Sequence, residues 1–361
     1  MTILYIGSLH PQSNSFGRFK ALGSMGHKVQ GINVDNYIYK GPFIKSHHHL
    51  NIGPGVYLLN KKVMEILSKS PVDIIWVDNK SFLNSSSFKK IKKLFPNTKI
   101  VNIVTDDITG RLRHQWRLAL SNAKYMDCFF VQRKVNIDEL KKAGAQNVAL
   151  CYRSYDPEFH RPVKLNREDI LKYKSTVGFV GTYESDREDY IAYLIKNNIP
   201  VSITGDGWPK GKQWDIIKPF YKGPSVYGEA YIKTINGMDI ALHFLRHGNR
   251  DEQDSRTFEI PACGVFMLAE KSEVHESLFK EGKEAGFFTV KEQLLEKVNY
   301  YLQHEEERKA IAAAGFARCK QSGYSHEERL KGVIDQIMDL GKKSDGKNNS
   351  FLKLNSNRDR G

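Results

Sequence analysis

The segment Gly181–Arg187, in the second half of the chain, contains the residue types that bind phosphate. Gly181 and Thr182 turn the chain from a predicted strand into a predicted helix, and Arg187 falls in the first turn of that helix. Free backbone N–H groups, the helix dipole and a guanidinium together attract an anion. A plain strand-to-helix turn is the alternative interpretation. Trp208, in the glycine turn after the next strand, either stacks on a nucleobase or covers the core.

A second polar segment, residues 250–264, leads into a short predicted helix. Ser255 and Thr257 are suited to cap its N-terminus, and Arg256 lies where an anion would meet free N–H groups. Glu259 falls in the first turn, where its carboxylate can accept hydrogen bonds from two vicinal hydroxyls of a ribose or sugar. Its alternative role is to complement the helix dipole.

Three other segments contain weaker candidates. His10, in the loop after the first strand, is a candidate general base, with an exposed loop histidine as the alternative. Asp107, after the fourth strand, is a candidate acceptor or donor-sugar contact rather than half of a cation site with Asp106. The run His47–His49 is interpreted as extended, so its side chains point to opposite faces and do not converge on a metal ion. We therefore expect no metal site.

The candidate residues follow strands in a regular alternation of strands and helices. Strands are predicted at 2–6, 27–29, 74–77, 100–104, 127–131 and 148–151, and again at 176–180, 201–204, 239–243 and 265–269. This alternation is typical of α/β domains with a parallel sheet covered on both faces. Ligands bind beyond the carboxyl ends of such strands, so two doubly wound domains facing each other across a cleft are expected.

The composition limits the class of protein. The 361 residues include 55 Lys and Arg against 41 Asp and Glu, a formal charge of +14. The length is typical of about two domains, and the excess charge predicts an anionic membrane, a nucleic acid or a phosphorylated substrate as partner. The four cysteines are far apart, so free thiols are expected. Apolar runs are too short for a membrane span, the first 17 residues lack Lys and Arg, and we expect a cytoplasmic protein.

Several segments together resemble the CgeB-type glycosyltransferases, the spore maturation protein family within the GT-B sugar transferases. The resemblance covers roughly residues 155–335 and is most specific at Arg256–Gly264. The first domain matches only at Gly7 and at Thr105–Asp107. The other matching segments are Gly178–Tyr183, Gly205–Trp208, Ser255–Gly264, Leu278–Ala285 and Ala312–Gly315.

The resemblance implies two Rossmann-like domains, with a nucleotide-sugar donor, UDP-linked, held by the second. Many retaining relatives carry two spaced glutamates, and Glu259 matches the second, which holds the ribose. Asp251 replaces the first, eight residues earlier, at the donor-sugar contact. Transfer with retention and without a metal ion is expected. Inversion, with a general base from the first domain, is the alternative.

The resemblance also implies a domain plan that ends with a helix crossing back to the first domain. The helix begins at the capping-box sequence Ser325–Glu328. The basic, polar C-terminus is expected to be disordered. The expected segments are an acceptor-side domain at 1–155, a linker at 156–175, a donor domain at 176–324, the helix at 325–341 and the tail at 342–361.

We therefore expect a nucleotide-sugar-dependent glycosyltransferase of the hexosyl type, with no cofactor other than its donor. Its acceptor is a surface glycan, a glycoprotein, a lipid carrier or a modified DNA base, and its basic surface and tail are candidates for contact with an anionic membrane or nucleic acid. A donor-binding protein without turnover and a protein that acts on nucleic acid are the alternatives. The catalytic candidates are Arg256, Arg187, Asp251, Asp107 and His10, and the donor-binding candidates are Gly181, Thr182, Trp208, Ser255, Thr257 and Glu259.

Overall fold

The fold is described from a computed structural model, which covers residues 1–111 and 113–343. The predicted tail lies outside the described residues except for Lys342 and Lys343, which end the last helix. The chain divides into two compact units. Unit 1 contains Met1–Tyr152, Gly248–Arg250 and the last helix from His326, and unit 2 contains Arg153–His247 and Asp251–Ser325.

Strands and helices alternate through the described residues. The strands are β1 (Thr2–Gly7), β2 (Lys28–Asn33), β3 (Ile74–Asp78), β4 (Lys99–Val104), β5 (Cys128–Val131), β6 (Val148–Leu150), β7 (Ser175–Val180), β8 (Val201–Thr204), β9 (Tyr221–Gly223), β10 (Met238–His243), β11 (Phe266–Glu270) and β12 (Gly286–Phe288). The α-helices are α1 (Asn14–Ser24), α2 (Asp35–Ile38), α3 (Pro54–Lys69), α4 (Ser85–Leu94), α5 (Arg117–Ser121), α6 (Lys134–Lys142), α7 (Arg167–Tyr173), α8 (Ser185–Lys196), α9 (Trp214–Ile217), α10 (Gly228–Asn236), α11 (Arg256–Ala262), α12 (Glu273–Leu278), α13 (Lys291–Gln303), α14 (Glu305–Gln321) and α15 (His326–Lys343).

Unit 1 is built on a six-stranded parallel sheet in the order β2-β1-β3-β4-β5-β6. Its central strands are continuous apolar runs because helices cover both faces of the sheet. Alternate residues of β1 therefore enter different cores: Leu4 packs with Val56 and Leu59 of α3, and Tyr5 packs with the helices on the other face. The carboxyl ends of these strands carry the loops that contain His10 and Asp107.

The last helix, α15, belongs to unit 1, where the family resemblance puts it. Its apolar stripe of Leu330, Val333, Ile334 and Ile337 packs into the same core as Tyr5. Met338, which follows this stripe, is half exposed. Burial of the stripe explains why this amphipathic segment is helical to its end.

Unit 2 repeats the architecture with a parallel sheet in the order β12-β11-β10-β7-β8-β9. The α/β class and two doubly wound sheets expected from the sequence are thus confirmed. Phe179 of β7, Trp208 and Leu268 of β11 lie in its core. The turns after β7, β8 and β10 all lie at the carboxyl edge of this sheet, which is where the candidate binding residues were expected.

The structure departs from the sequence prediction at several points. The segment predicted as a linker, 156–175, contains helix α7, whose start is capped by Asn166 through a reciprocal pair of hydrogen bonds with Asp169. The 16-residue helix α3 and the short strands β9 and β12 were not predicted. Short strands carry too few residues for a recognisable pattern.

The three adjacent histidines are not extended. They lie in a π-helical turn, Ser46–Leu50, and His47 is buried, with its Nδ1 at 3.1 Å from the Ile38 carbonyl and its Nε2 accepting from the Gly55 N–H at 3.1 Å. His47 therefore holds a loop together. Among the described residues, no cluster of three or more His, Cys, Asp or Glu side chains is arranged to hold a metal ion.

Candidate anion-binding site

The turn after β7 is held against the turn after β8. The Gly181 N–H donates to the Thr204 carbonyl at 2.9 Å, and the Gly181 carbonyl accepts from Trp208 Nε1 at 2.9 Å. Gly205 has φ +153°, and a Cβ there would lie 1.9 Å from the Gly181 oxygen. Only glycine permits this approach, so the two turns form one fixed surface at the sheet edge.

Trp208 lies inside this surface rather than on it. The side chain is fully buried, with its ring edge-on to Phe179 and Tyr183. This position corresponds to the core-covering alternative, because the indole N–H is already paired with Gly181 and no ring face is open for a base. The assignment of Trp208 to base stacking does not fit the structure.

Arg187, in the first turn of α8, is a buried cation held by neutral groups. Its Nη1 donates to the Thr182 carbonyl at 2.9 Å and its Nη2 to the Phe244 carbonyl at 3.3 Å, while its guanidinium lies over the Phe179 ring. Its Nε is buried and has no hydrogen-bond partner among the described residues. Burial, and then the charge of Arg256, lower the pKa of Arg187 from its ordinary value. Asp254 and Glu184 offset this lowering only in part, and among the described residues no hydrogen bond or ion pair joins Arg187 to a carboxylate.

Helix α11 begins differently from the prediction. Ser255 has helical backbone angles, φ −58° and ψ −38°, and its side chain makes no capping hydrogen bond. An N-cap residue needs an extended conformation to turn its oxygen toward the free N–H groups. The Asp254 carboxylate takes that role, accepting from the Arg256 N–H at 2.7 Å. It also accepts from Arg256 Nη1 at 3.3 Å.

Thr257, which is fully buried, stabilises the N-terminus of the same helix. Its hydroxyl accepts from the Asp254 N–H at 3.1 Å and lies 2.9 Å from His275 Nε2. His275 Nδ1 faces the Glu270 carbonyl at 2.7 Å and must donate to it. Complete burial, and then the nearby His243, lower the pKa of His275 to about 3. His275 is therefore neutral, and its Nε2 accepts from the hydroxyl, which leaves Thr257 no proton to donate to a phosphate.

Asp254 is the anionic centre of this part of unit 2. Besides Arg256, it pairs with the buried His243, whose Nε2 lies 2.8 Å from its carboxylate. Burial would raise the pKa of Asp254, but His243, Arg256 and Arg187 outweigh it and hold that pKa well below its ordinary value. One carboxylate thus faces two guanidiniums and an imidazole. The Arg256 Nε, like that of Arg187, is buried without a hydrogen-bond partner in the described part of the chain.

Glu259 lies one helical turn after Arg256, so both side chains are on one side of α11. The carboxylate is buried, accepts a hydrogen bond from the Tyr231 hydroxyl and has His160 Nε2 at 3.5 Å. Burial, and then the charge of Glu259, raise the pKa of Tyr231 well above its ordinary value. The phenol therefore remains a donor, and Glu259 is held in one position by two side chains that sequence reasoning did not select.

Asp107 does not lie open to a sugar. It is buried in unit 1, where Arg250 donates to both of its oxygens at 2.5 and 2.6 Å and Asn136 donates at 2.8 Å. Arg250 also donates to Glu139 at 2.9 Å. Burial would raise the pKa of Asp107, but hydrogen bonds from Arg250 and Asn136 outweigh it and lower it. The structure thus places Asp107 in an internal ion-pair network rather than in a sugar contact.

Two further catalytic candidates, His10 and Asp251, belong to different units. His10 belongs to unit 1, is exposed, and accepts from the Gln12 N–H at 3.3 Å, which corresponds to the loop-histidine alternative. Asp251 is half-buried in unit 2, and its N–H donates to the Arg246 carbonyl at 3.3 Å.

Of the predicted residues, Arg187 contacts the carbonyl of Thr182, next to Gly181, and Arg256 is near enough for its charge to lower the pKa of Arg187. Glu259 lies on the same helix as Arg256. Sequence reasoning missed Asp254, His243, Tyr231 and His160. Asp254 is part of the polar segment singled out before α11, and His243 ends a predicted strand, so position in the chain was a usable signal for both. Tyr231 and His160 belong to no motif in the sequence, so no sequence pattern indicates that they contact Glu259.

Comparison with known proteins finds a sequence match that includes most of unit 2, with Arg187, Arg256 and Glu259. Residues 187–335 match the family described as "Glycosyl transferase-like". The spore protein CgeB of Bacillus subtilis (strain 168) is 25% identical over 211 residues, which covers 50% of this chain and 64% of that protein. The resemblance to CgeB-type proteins is therefore confirmed, over about half of the chain and somewhat under two thirds of the relative.

Solved structures share the two-sheet fold along nearly the whole chain. Sucrose-phosphate synthase from Thermosynechococcus elongatus has a TM-score of 0.66 at 10% identity, covering 95% of this chain and 99% of that one. Anabaena HepE in complex with UDP-glucose has a TM-score of 0.64 at 13% identity, covering 94% and 100%. A glycosyltransferase from Rickettsia africae ESF-5 scores 0.63 at 14% identity, covering 95% and 99%. At these identities the likeness establishes the fold alone, an α/β chain with two Rossmann-like parallel sheets.

Proposed function

We propose that this chain is a glycosyltransferase that takes its sugar from a nucleotide-diphosphate donor bound by unit 2. The observation that carries the proposal is the pair of neighbouring guanidiniums, Arg187 and Arg256, of which, in the described part of the chain, only Arg256 is paired with a carboxylate, that of Asp254. Each keeps a buried Nε without a hydrogen-bond partner among the described residues. Burying cations without matching anions costs free energy. A diphosphate would supply the missing charge and acceptors.

Neighbouring residues of unit 2 are proposed to bind the ribose and the phosphates of the donor. Glu259, held by Tyr231 and His160, would accept hydrogen bonds from the two ribose hydroxyls. Gly181 and Thr182 would lie against the phosphates. Because the HepE structures contain UDP and UDP-glucose, and their fold is shared, we propose a UDP-linked hexose as the donor. Trp208 and Thr257 would not touch the donor. Trp208 would fix the turn at Gly181, and Thr257 would fix the N-terminus of α11.

The reaction needs charge stabilisation at the leaving group. As the bond from the anomeric carbon to the diphosphate breaks, negative charge grows on the leaving oxygen, and a preplaced guanidinium stabilises that state more than the ground state. We assign this role to Arg256, with Arg187 supporting it. Two guanidiniums supply the countercharge that a divalent cation would otherwise bring, so transfer is proposed to be metal-independent. Retention of configuration is proposed from the match of Glu259 to the second glutamate of retaining relatives.

Calorimetry with UDP, in the presence and absence of EDTA, tests the donor site directly. Binding that persists in EDTA supports the proposal, and binding that appears only with magnesium or manganese contradicts metal independence. Arg187→Ala should abolish measurable binding, whereas Arg167→Ala, an exposed arginine on α7 of the same unit, should leave it unchanged. Binding without any sugar transfer or donor hydrolysis would instead favour a non-catalytic donor-binding protein.

A further inference from the structure

Unit 1 has an unusual surface between the end of β2 and the second turn of α3. Of the fifteen large hydrophobic side chains that are exposed in the described residues, seven lie within residues 39–58. The most exposed are Leu50, Ile52, Tyr57, Leu58 and Phe43, with exposed fractions from 50 to 66%. Isolated exposed hydrophobic residues are ordinary, but a concentration of them marks an interaction surface.

These side chains are exposed by a folded segment. His47 anchors the loop from inside, between the Ile38 carbonyl and the Gly55 N–H. The ammonium of Lys80 donates to the His48 carbonyl and closes the loop from another side. The hydrophobic residues on the surface are therefore held there by the same contacts that build the turn.

Helix α3 has apolar residues both on the face that packs in the core and on the face that is exposed. Val56, Leu59 and Val63 enter the core of unit 1, whereas Tyr57 and Leu58 lie on the outward face. The outward residues contribute little to folding, because their surface remains in water. Packing in the core therefore does not explain why Tyr57 and Leu58 are apolar.

The charge of the segment is as uneven as its hydrophobicity. Residues 36–64 contain four lysines and no aspartate or glutamate. Lys40, Lys45 and Lys61 are exposed among the hydrophobic side chains. We refer to Phe43, Leu50, Ile52, Tyr57 and Leu58 with these three lysines as the basic apolar patch.

We propose that the basic apolar patch docks unit 1 on a bilayer that contains anionic phospholipids. Aromatic and aliphatic side chains enter the boundary between headgroups and acyl chains, and lysines around them attract the anionic headgroups, which is the pattern of peripheral membrane binding. In the described residues no helix is both long enough and apolar enough to cross a bilayer, so the contact is made at the surface. The proposal depends on unit 1 and is independent of the donor site.

Other occupants fit the patch less well. A second copy of the chain that packed through the same patch would bring lysines against lysines, and like charges in contact oppose association. A nucleic acid would pair with the lysines but leave Leu50, Ile52 and Leu58 in water, since aliphatic side chains gain little from a phosphate backbone. The combination of exposed aliphatic residues and lysines favours a lipid surface.

Vesicle flotation of the full-length protein tests the proposal. We expect binding to vesicles of phosphatidylcholine with phosphatidylglycerol, and much weaker binding to phosphatidylcholine alone. Leu50→Ser with Ile52→Ser should lower the partition coefficient about tenfold, because two partly inserted side chains are lost. Ile170→Ser with Leu171→Ser, an exposed apolar pair on α7 of unit 2, is the matched control and should bind as the wild type does.

A second pair of variants tests the charge. Lys40→Ser with Lys45→Ser should weaken binding by about fivefold per lysine, whereas Lys141→Ser with Lys142→Ser, exposed on α6 of unit 1, should have a clearly smaller effect. The basic C-terminal tail is present in every variant, so its contribution cancels.

Unchanged binding of both patch variants would overturn the proposal, as would an equal loss in the controls. Binding that does not depend on anionic lipid would also contradict it. Loss of a dimer in light scattering, with vesicle binding intact, would assign the patch to a second copy instead. Donor binding by calorimetry should be unchanged in all four variants, so failure here is distinguishable from failure of the proposed transferase function.

Discussion

Each unit has a buried carboxylate beside arginine, and the two arrangements differ in how completely the charges are matched. In unit 1, Asp107 and Glu139 share Arg250, and Asn136 completes the hydrogen bonding of Asp107. In unit 2, Asp254 pairs with Arg256, and among the residues that the structure describes the nearby Arg187 donates only to backbone carbonyls. In the first arrangement the buried atom without a partner in the described residues is an acceptor, Asn136 Oδ1, whereas in the second the unpartnered atoms are donors, the Nε atoms of Arg187 and Arg256.

This difference separates a structural role from a binding role. A buried ion pair with satisfied hydrogen bonds holds a fold together but offers nothing to a ligand. A buried cation with an unpartnered donor is costly in the empty protein, and a bound anion removes that cost. Both sites contain residues that looked equally suitable in the sequence, and only their partners distinguish them.

The largest effect is expected for Arg256→Ala. Removing a single preplaced donor to a developing charge lowers turnover by about 10²–10³, and the donor dissociation constant should change less. Arg256→Lys keeps the charge but loses the planar fork and should also be impaired. Steady-state kinetics with calorimetry would measure both effects. If affinity falls while turnover at saturating donor is unchanged, Arg256 only binds, and Arg187 becomes the better candidate for leaving-group stabilisation.

Asp107→Asn should affect stability instead of binding. It should lower the free energy of unfolding by about 3 kcal/mol, the low end for a broken buried ion pair, since Arg250 keeps Glu139 and its side chain is 36% exposed. Because the pKa of Asp107 is lowered in the fold, its contribution is present above about pH 3.9, the unfolded pKa, and disappears as pH falls below that. Urea denaturation at two pH values measures this, and a loss of UDP affinity in the variant would contradict the structural role.

Glu259→Ala should weaken donor binding by about 1.5–3 kcal/mol, the range for hydrogen bonds to a charged group. Tyr231→Phe is the matched control, because it removes the phenol's hydrogen bond to Glu259 but keeps the carboxylate. We expect Tyr231→Phe to cost only a fraction of that affinity. Calorimetry with UDP compares the two, and equal affinity of folded Glu259→Ala and wild type would restrict Glu259 to a role within the helix.

The smallest expected effect is a pH-dependent change in stability from His247 in unit 2. Its Nδ1 lies 3.0 Å from the Asp186 carboxylate and its Nε2 lies 2.6 Å from the Glu270 carboxylate. Burial opposes its protonation, but Glu270 and Asp186 outweigh burial and raise the pKa of His247. The raised pKa means that its stabilisation is complete below about pH 6.5, the unfolded pKa, and is lost as pH rises through the folded pKa. The side chain is half exposed, so we expect only about 0.2–1 kcal/mol.

Thermal melts of the wild type and of His247→Gln between pH 5.5 and pH 8.5, a span of roughly one unit or more on each side of the ordinary histidine pKa, would measure this. The difference between the two proteins should shrink as pH rises. A constant difference across the range would show that the imidazole is not titrating against these carboxylates.

Much of the fold was predictable from sequence because parallel strands buried on both faces need uninterrupted apolar residues, as in Ile3–Ile6 and Val265–Ala269. The failures have local causes. Helix α7 was taken for a linker because nearby prolines and polar residues outweighed the capping signal at Asn166. The strands β9 and β12 are three residues long, too short for a periodic pattern.

The sequence by itself determined the two α/β sheets, the polar turns after their strands and the position of Arg187 and Arg256 at the starts of helices, because these depend on neighbours in the chain. Only the tertiary structure decided which charges are matched. Arg250 meets Asp107 across 143 positions, and Trp208 turns inward to Gly181 across 27. Whether a side chain is paired or available depends on the distance between turns from different strands, and spacing along the chain carries no information about that distance.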